Sequence, residues 1–313
     1  MKRLKLSQTK LVKAEEEIPG NFTSVRGEYY IPEIGKTGFY KLNGCMVGAK
    51  DDEDLRELFA SKLMAQIEFP HAKIILISDE ENRNGCLSVN ILDKDETFCM
   101  PNLEKFQFRK IETINDFIEN DLEQISSIPG INSEDLRRRK EYLLKYLLIS
   151  AFISNTDIKM DNMMIIKNNN TGTFRNPEYY DMGIAFIEND NRKFFHEYSS
   201  NQVIEQLYET YPSQIVPFGR MLEEKLNKKF IKSLLQEETF DGFSPVNKKL
   251  IRNQLIDRIN CIKKLNYREH SNFKFATNEI HEMSKETNLS LRDKVAGFMF
   301  RIKDKILGRD RDE

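Results

Sequence analysis

Cysteine is scarce and scattered: Cys45, Cys86, Cys99 and Cys261 are the only four, with no Cys-x-x-Cys pair among them. Histidine also numbers four and is equally dispersed, so no structural zinc site is expected. Thiols without a pairing pattern fit a reduced, cytoplasmic interior, with secretion as an effector left open. Long hydrophobic runs are missing too. No stretch nears the roughly eighteen apolar residues a membrane span requires. The opening "MKRLKLSQTKLVKAEEE" carries charges but no apolar centre, so no secretory signal is read there. Nor does either sign of charge dominate. With 48 basic and 50 acidic residues the net charge is −2, which gives counterion release no global source, and direct nucleic-acid binding is not expected.

What is present suits a globular chain with a real core, since 39% of residues are hydrophobic and 31% charged. The first part reads as short strands and turns around one helix. "GEYYIPEI" and "GFYKLNGCMVGA" are aromatic and β-branched stretches punctuated by Gly and Pro. "DDEDLRELFASKLMAQI" opens on acidic residues that suit a helix N-terminus, and Leu55, Leu58, Phe59, Leu63 and Ile67 recur at helical spacing. "AKIILI" and "CLSVNIL" follow as strands. After Pro101 the pattern turns helical in "ETINDFIENDLEQI", "SEDLRRRKEYLLKYLLISAFI", "SNQVIEQLYETY" and "PFGRMLEEKLNKKFIKSLLQ". The fold expected is α+β, a small strand-rich half over residues 1–93 and a larger helical half over 94–313. The basic, apolar-spaced "LRDKVAGFMFRIKDKILGRDR" near the end reads as a terminal helix docked on the second half.

The most informative stretch is "FISNTDIKMDNMMII" in mid-chain. An apolar helix gives way to a polar loop, then to a strand-like "MMIIK", the turn "NNNTGT" and the second strand "NPEYYDMG". If these strands pair as a hairpin, its open end brings Asn162 close to Asp181, with Asp157 upstream on the same loop. Two carboxylates and an amide oxygen are hard donors of the kind magnesium takes, its remaining positions going to water and phosphate oxygens. Asp157 could orient a hydroxyl and accept its proton, and Lys159 could face a transferring phosphoryl group. Taken singly, "SNTD" also reads as an ordinary helix-ending turn and Asp181 as the end of a strand.

"DIKMDN" resembles the protein-kinase catalytic-loop pattern Asp-x-Lys-x-x-Asn, and "YYDMG" resembles the metal-binding segment that follows it. The preceding "SNTD" resembles the Asn-x-Asp start of HipA-like and CtkA-type bacterial kinases, which carry His where this chain has Lys159. That resemblance implies a two-lobed kinase fold using ATP and Mg²⁺, with Asp157 and Lys159 catalytic and Asn162 and Asp181 holding metal. It implies Lys41 in "GFYKL" on the nucleotide phosphates and Glu57 as its helix partner, with Glu53 a rival nearer the helix start. In "LSVNILDK" it implies an interlobe hinge in which Asn90 and Leu92 offer backbone contacts to adenine and Asp93 reaches the ribose. No Gly-x-Gly-x-x-Gly occurs, and "PGNFTSVRG", with Thr23 and Ser24, takes the place of a phosphate-covering loop.

The function expected is phosphoryl transfer from ATP to a protein Ser/Thr hydroxyl, with an antitoxin or other regulatory partner possible. A kinase fold acting on a lipid or small-molecule hydroxyl, and a nucleotide-binding module without turnover, stay open beside it.

Overall fold

Tyr40 and Lys41 face opposite sides of one strand, and the first half of the molecule is organised around that alternation. The computed structural model describes residues 3–15, 25–44, 52–99, 111–158, 160–186, 193–195 and 197–286, with backbone only at 160, 161 and 269–286. Strands β1 (Leu4–Lys5), β2 (Lys10–Lys13), β3 (Val25–Ile31), β4 (Lys36–Leu42), β5 (Ile74–Ser78) and β6 (Asn84–Val89) form one sheet in the order β1-β5-β6-β4-β3-β2. β1 joins β5 in parallel and every other neighbouring pair is antiparallel. Tyr40 packs with Ile31, Ile77, Leu87 and Val89 in a buried cluster, whereas Lys41 lies in register with Cys86 and turns to the other side. Gly85 is dictated by this pairing, because a Cβ there would sit 2.2 Å from the Lys41 carbonyl oxygen. β1 and β2 are not foreseen by sequence pattern. β2 is an edge strand with all four residues exposed, so it carries no buried alternation to read.

Between β4 and β5 runs α1 (Glu53–Gln66), opened by acidic residues as the sequence suggests. It is buried on nearly every side, and that wide burial brings Glu53, Asp54, Arg56 and Glu57 inside along with the apolar positions. Phe59 anchors it, meeting the rings of Phe186 and Phe240 edge-on at 5.5 and 5.1 Å. Arg56 adds polar ties, pairing with Asp52 at 2.9 Å and donating to the Ala185 carbonyl at 3.4 Å. The helix that carries Glu57 is therefore fastened to the second half.

In that half, α2 (Ile114–Ser126) and α3 (Ser133–Phe152) start at capping boxes built on Thr113 with Asp116 and Asn132 with Asp135. α3 is buried almost continuously from Tyr142 to Phe152, with α4 (Ser200–Thr210) and α5 (Pro212–Lys225) packed on it. The stretch read as one helix from Pro217 onward is two, because Asn227 ends α5's continuation and caps α6 (Lys228–Leu235) through the amides of Lys229 and Phe230. A second sheet joins β7 (Glu96–Cys99), β8 (Ile165–Asn168) and β9 (Phe174–Arg175) in that order, and its Ile165 and Phe174 pack with Ile125 and Ile128.

The proposed hairpin exists, but β9 is only two residues long. Pro177 has no N–H for the ladder, and the chain swings away so that Tyr179 bridges to His71 instead. Residues through Lys263 form one compact unit, and those from Lys264 a second, of which only the remainder of α7 (Pro245–Glu286) is described. The tail from Leu291 lies outside the described residues. Among the described residues, no helix is long and apolar enough to cross a membrane.

Candidate active site

Three elements deliver charge to one point. β4 turns Lys41 toward α1, α1 presents Glu57 from its second turn, and the segment after β9 brings Asp181. Lys41 Nζ stands 2.8 Å from Glu57 Oε1 and 2.9 Å from Asp181 Oδ1. Burial alone would lower the Lys41 pKa, but the Asp181 and Glu57 carboxylates outweigh it and hold the ammonium well above its ordinary value. Burial raises the Glu57 pKa, the Lys41 charge opposes that rise, and Asp181 adds to it. The Cys86 thiol lies 3.8 Å from Glu57 Oε2, and burial with Glu57's charge pushes it well up, so it is an inert wall of the site.

Of the two glutamates that could serve Lys41, the ammonium bonds Glu57. Glu53 lines the same small cavity as Lys41, Glu57 and Asp181, yet its Oε1 is buried with no hydrogen-bond partner. Burial, then repulsion from Glu57, lifts its carboxyl to about 7.

Asp181 has φ +59°, a left-handed backbone that Asp adopts more readily than most side chains. Two residues on, a Cβ at Gly183 would lie 3.2 Å from Glu57 Oε1, so this segment can approach α1 closely only without a side chain there.

The loop holding Asp157 begins where Phe186 N–H donates to the Ile153 carbonyl at 2.8 Å. Ser154 turns the chain with φ +55°. Asn155 is fully buried and acts as the loop's hub. Its Nδ2 donates to the Tyr179 hydroxyl at 2.9 Å and to the Asp181 carbonyl at 3.5 Å, while its Oδ1 accepts from the Asp157 amide at 3.3 Å. Asn162 Nδ2 donates to the Asp157 carbonyl at 3.1 Å, which leaves its Oδ1 as an available acceptor. Asp157, Asn162 and Asp181 are thus tied into one network. Among the described residues, no cluster of three or more His, Cys, Asp or Glu suits a metal. One carboxylate and one amide oxygen fit a hard cation that completes its shell with phosphate oxygens and water.

The hinge segment lies beyond β6. Asn90 N–H donates to the Thr37 carbonyl at 2.9 Å, and Asn90 Oδ1 accepts from the Leu92 amide at 3.0 Å, so both amides are engaged within the protein. Asp93 is exposed and pairs with Lys36 at 3.2 Å. Lys159, Thr23 and Ser24 lie outside the described residues.

Two residues have roles that the sequence does not assign. Asn155 looked like a turn former, and only the buried Tyr179 below it reveals its role. Arg175 in β9 clamps the hinge: Nη2 reaches the Ile91 carbonyl at 2.8 Å and Glu96 Oε2 at 2.7 Å, while Nη1 reaches Glu178 at 2.8 Å. Its hydrogen bonds, against some opposing burial, hold the Glu96 carboxyl down at about 2.

A strand-rich half with a lysine–glutamate pair, a helical half with a loop bearing Asp157 and Asn162, and Asp181 between them define a two-lobed, protein-kinase-like α+β fold. Solved structures share it. The proinflammatory kinase CtkA of Helicobacter pylori matches with a TM-score of 0.62 at 10% identity, over 85% of this chain and 98% of that one. HipA of Shewanella oneidensis MR-1, solved with HipB and operator DNA, matches with a TM-score of 0.51 at 9% identity, over 73% of this chain and 60% of its own. No family model and no curated protein sequence matches the chain.

Proposed function

We propose that this protein is a HipA/CtkA-like kinase, dependent on ATP and Mg²⁺, that transfers the γ-phosphoryl group to a Ser or Thr hydroxyl of a protein. The observation that carries the reading is Lys41 held between Glu57 and Asp181. Such an ammonium is preset to receive nucleotide phosphates without a rotamer search. ATP would lie between a lobe of residues 1–93 and a lobe of 94–313. Asp181 and Asn162 would hold Mg²⁺, which when bound neutralises phosphate charge as the bond to the leaving oxygen breaks. Lys41 binds the phosphates and shares its charge with them. Asp157 orients the acceptor hydroxyl and takes its proton as that oxygen bonds to phosphorus, leaving ADP. Lys159 would screen the transferring group, and the hydroxyls of Thr23 and Ser24 would approach the phosphates. The hinge carbonyls of Asn90 and Leu92 would face the base and Asp93 the ribose. Because HipA was solved with HipB and operator DNA, a regulatory protein partner is part of this reading.

The test is label transfer from [γ-³²P]ATP with magnesium, to the protein itself and to a lysate, in wild type, Asp157→Ala and Asp181→Asn. The expected result is transfer in wild type and a loss of at least about a hundredfold in each variant. Equal transfer in all three would remove this site from the reaction. ATP binding without transfer would favour a nucleotide-binding module, and label in lipid or small molecules would move the acceptor class.

A further inference from the structure

Beneath the loop lies a cation that the reaction itself does not use. Arg139 of α3 and Asp121 of α2 have side chains 1% and 0% exposed, joined by Nε–Oδ2 and Nη2–Oδ1 contacts of 2.7 Å each. The guanidinium does not stop at its counter-ion. Nη2 also donates to the Met163 carbonyl at 2.7 Å, and Nη1 to Asn176 Oδ1 at 3.2 Å. Met163 closes the short 3₁₀ turn Met160–Met163 and directly follows Asn162. Asn176 directly follows β9, at the point where the chain leaves the hairpin for Asp181, and its Nδ2 donates to the Arg138 carbonyl at 3.3 Å. One buried fork therefore grips both strands' worth of chain that carry the candidate metal ligands.

Stability alone is a weak reason for such a pair, since removing two charges from water costs about what their attraction returns, and apolar replacements are often neutral. An apolar pair would fill the volume but aim no donors at Met163 and Asn176. We propose that Arg139 is a positioning residue that sets the spacing of the Asn162 and Asp181 arms, and so the affinity of the site for a divalent cation bound with nucleotide. This rests on the phosphotransfer reading above. Partners that orient metal ligands from behind are worth about ten- to a hundredfold in metal affinity.

The experiment uses the full chain with Mn²⁺ and a non-hydrolysable ATP analogue, reading bound Mn²⁺ by electron paramagnetic resonance. Variants are the double Arg139→Met/Asp121→Leu, which keeps a packed core, and Asn176→Ala, which keeps the ion pair. The expected result is a double variant that still unfolds cooperatively, at a somewhat lower melting temperature because the Met163 carbonyl loses its donor, with a Mn²⁺ requirement raised about tenfold, and a requirement raised about threefold in Asn176→Ala. An unchanged Mn²⁺ requirement in the folded double variant would overturn the proposal. If that variant does not fold, an unchanged requirement in Asn176→Ala overturns it equally. A wild type that binds no Mn²⁺ with nucleotide defeats the phosphotransfer reading itself and takes this proposal with it.

Discussion

Lys41 Nζ is shared almost equally between Glu57 Oε1 at 2.8 Å and Asp181 Oδ1 at 2.9 Å, one ammonium joining a helix to a loop that lies 140 residues along the chain from the lysine itself. Removing it leaves Glu57 buried without its counter-charge, a loss of about 3–5 kcal/mol. Lys41→Met is expected to unfold at correspondingly lower urea. Lys41→Met/Glu57→Leu should recover most of that stability while staying inactive. Urea midpoints and label transfer on the same samples check both halves of the expectation.

Glu53 gives the molecule a pH dependence of unusual sign for a carboxylate. Folded, it keeps its proton up to about 7, against an ordinary 4.5 when unfolded. The folded state therefore binds more protons between those values, and stability falls as pH rises from about 4.5 to 7. Glu53→Gln removes this residue's share of the slope. It should match wild type at pH 4 and exceed it by roughly 1–2 kcal/mol at pH 8, in denaturant melts at the two pH values.

Arg175 gives the opposite slope. Glu96 titrates near 2 when clamped, so its contribution is full above its ordinary 4.5 and is lost as pH falls from there toward 2. Arg175→Ala should cost roughly 1 kcal/mol at pH 7 after solvent screening, and the difference from wild type should shrink as pH falls toward 2, leaving the part due to the Ile91 carbonyl. Because the same side chain holds the Ile91 carbonyl, the variant should also weaken nucleotide binding, readable by calorimetry.

Asn155 links the Asp157 amide to the Tyr179 hydroxyl, so Asn155→Ala should lower stability by about 1–3 kcal/mol and turnover by at least about tenfold. Turnover measured well below the melting temperature separates the two. A destabilised variant with wild-type turnover would mean that Asp157 is held by other contacts.

Much of this architecture can be read from residue pattern, and the exceptions have physical causes. Lys41, Glu57, Asp157, Asn162 and Asp181 stand out because their types and order match a known pattern of chemistry. α3 is legible because its apolar face is nearly unbroken. β2 is silent because its side chains are all in solvent, and the α5–α6 break rests on one asparagine within an otherwise helical run. The early end of β9 was legible in Pro177, yet the partner gained by Tyr179, at His71, depends on a contact over a hundred residues long. Arg139 had a faint signal, a basic residue one helical turn before the buried Tyr142 and Leu143.

The left-handed backbone at Asp181 bears on how any replacement there should be interpreted. Alanine would remove a carboxylate and also force an unfavourable local conformation costing of order 1 kcal/mol, so its phenotype would mix two losses. Asparagine shares aspartate's tolerance for that conformation and nearly its shape. At this position it is the substitution that isolates charge, and the difference between alanine and glycine, which both lack the carboxylate, isolates backbone. The three variants together would apportion how much of the site is chemistry and how much is the bend that delivers it.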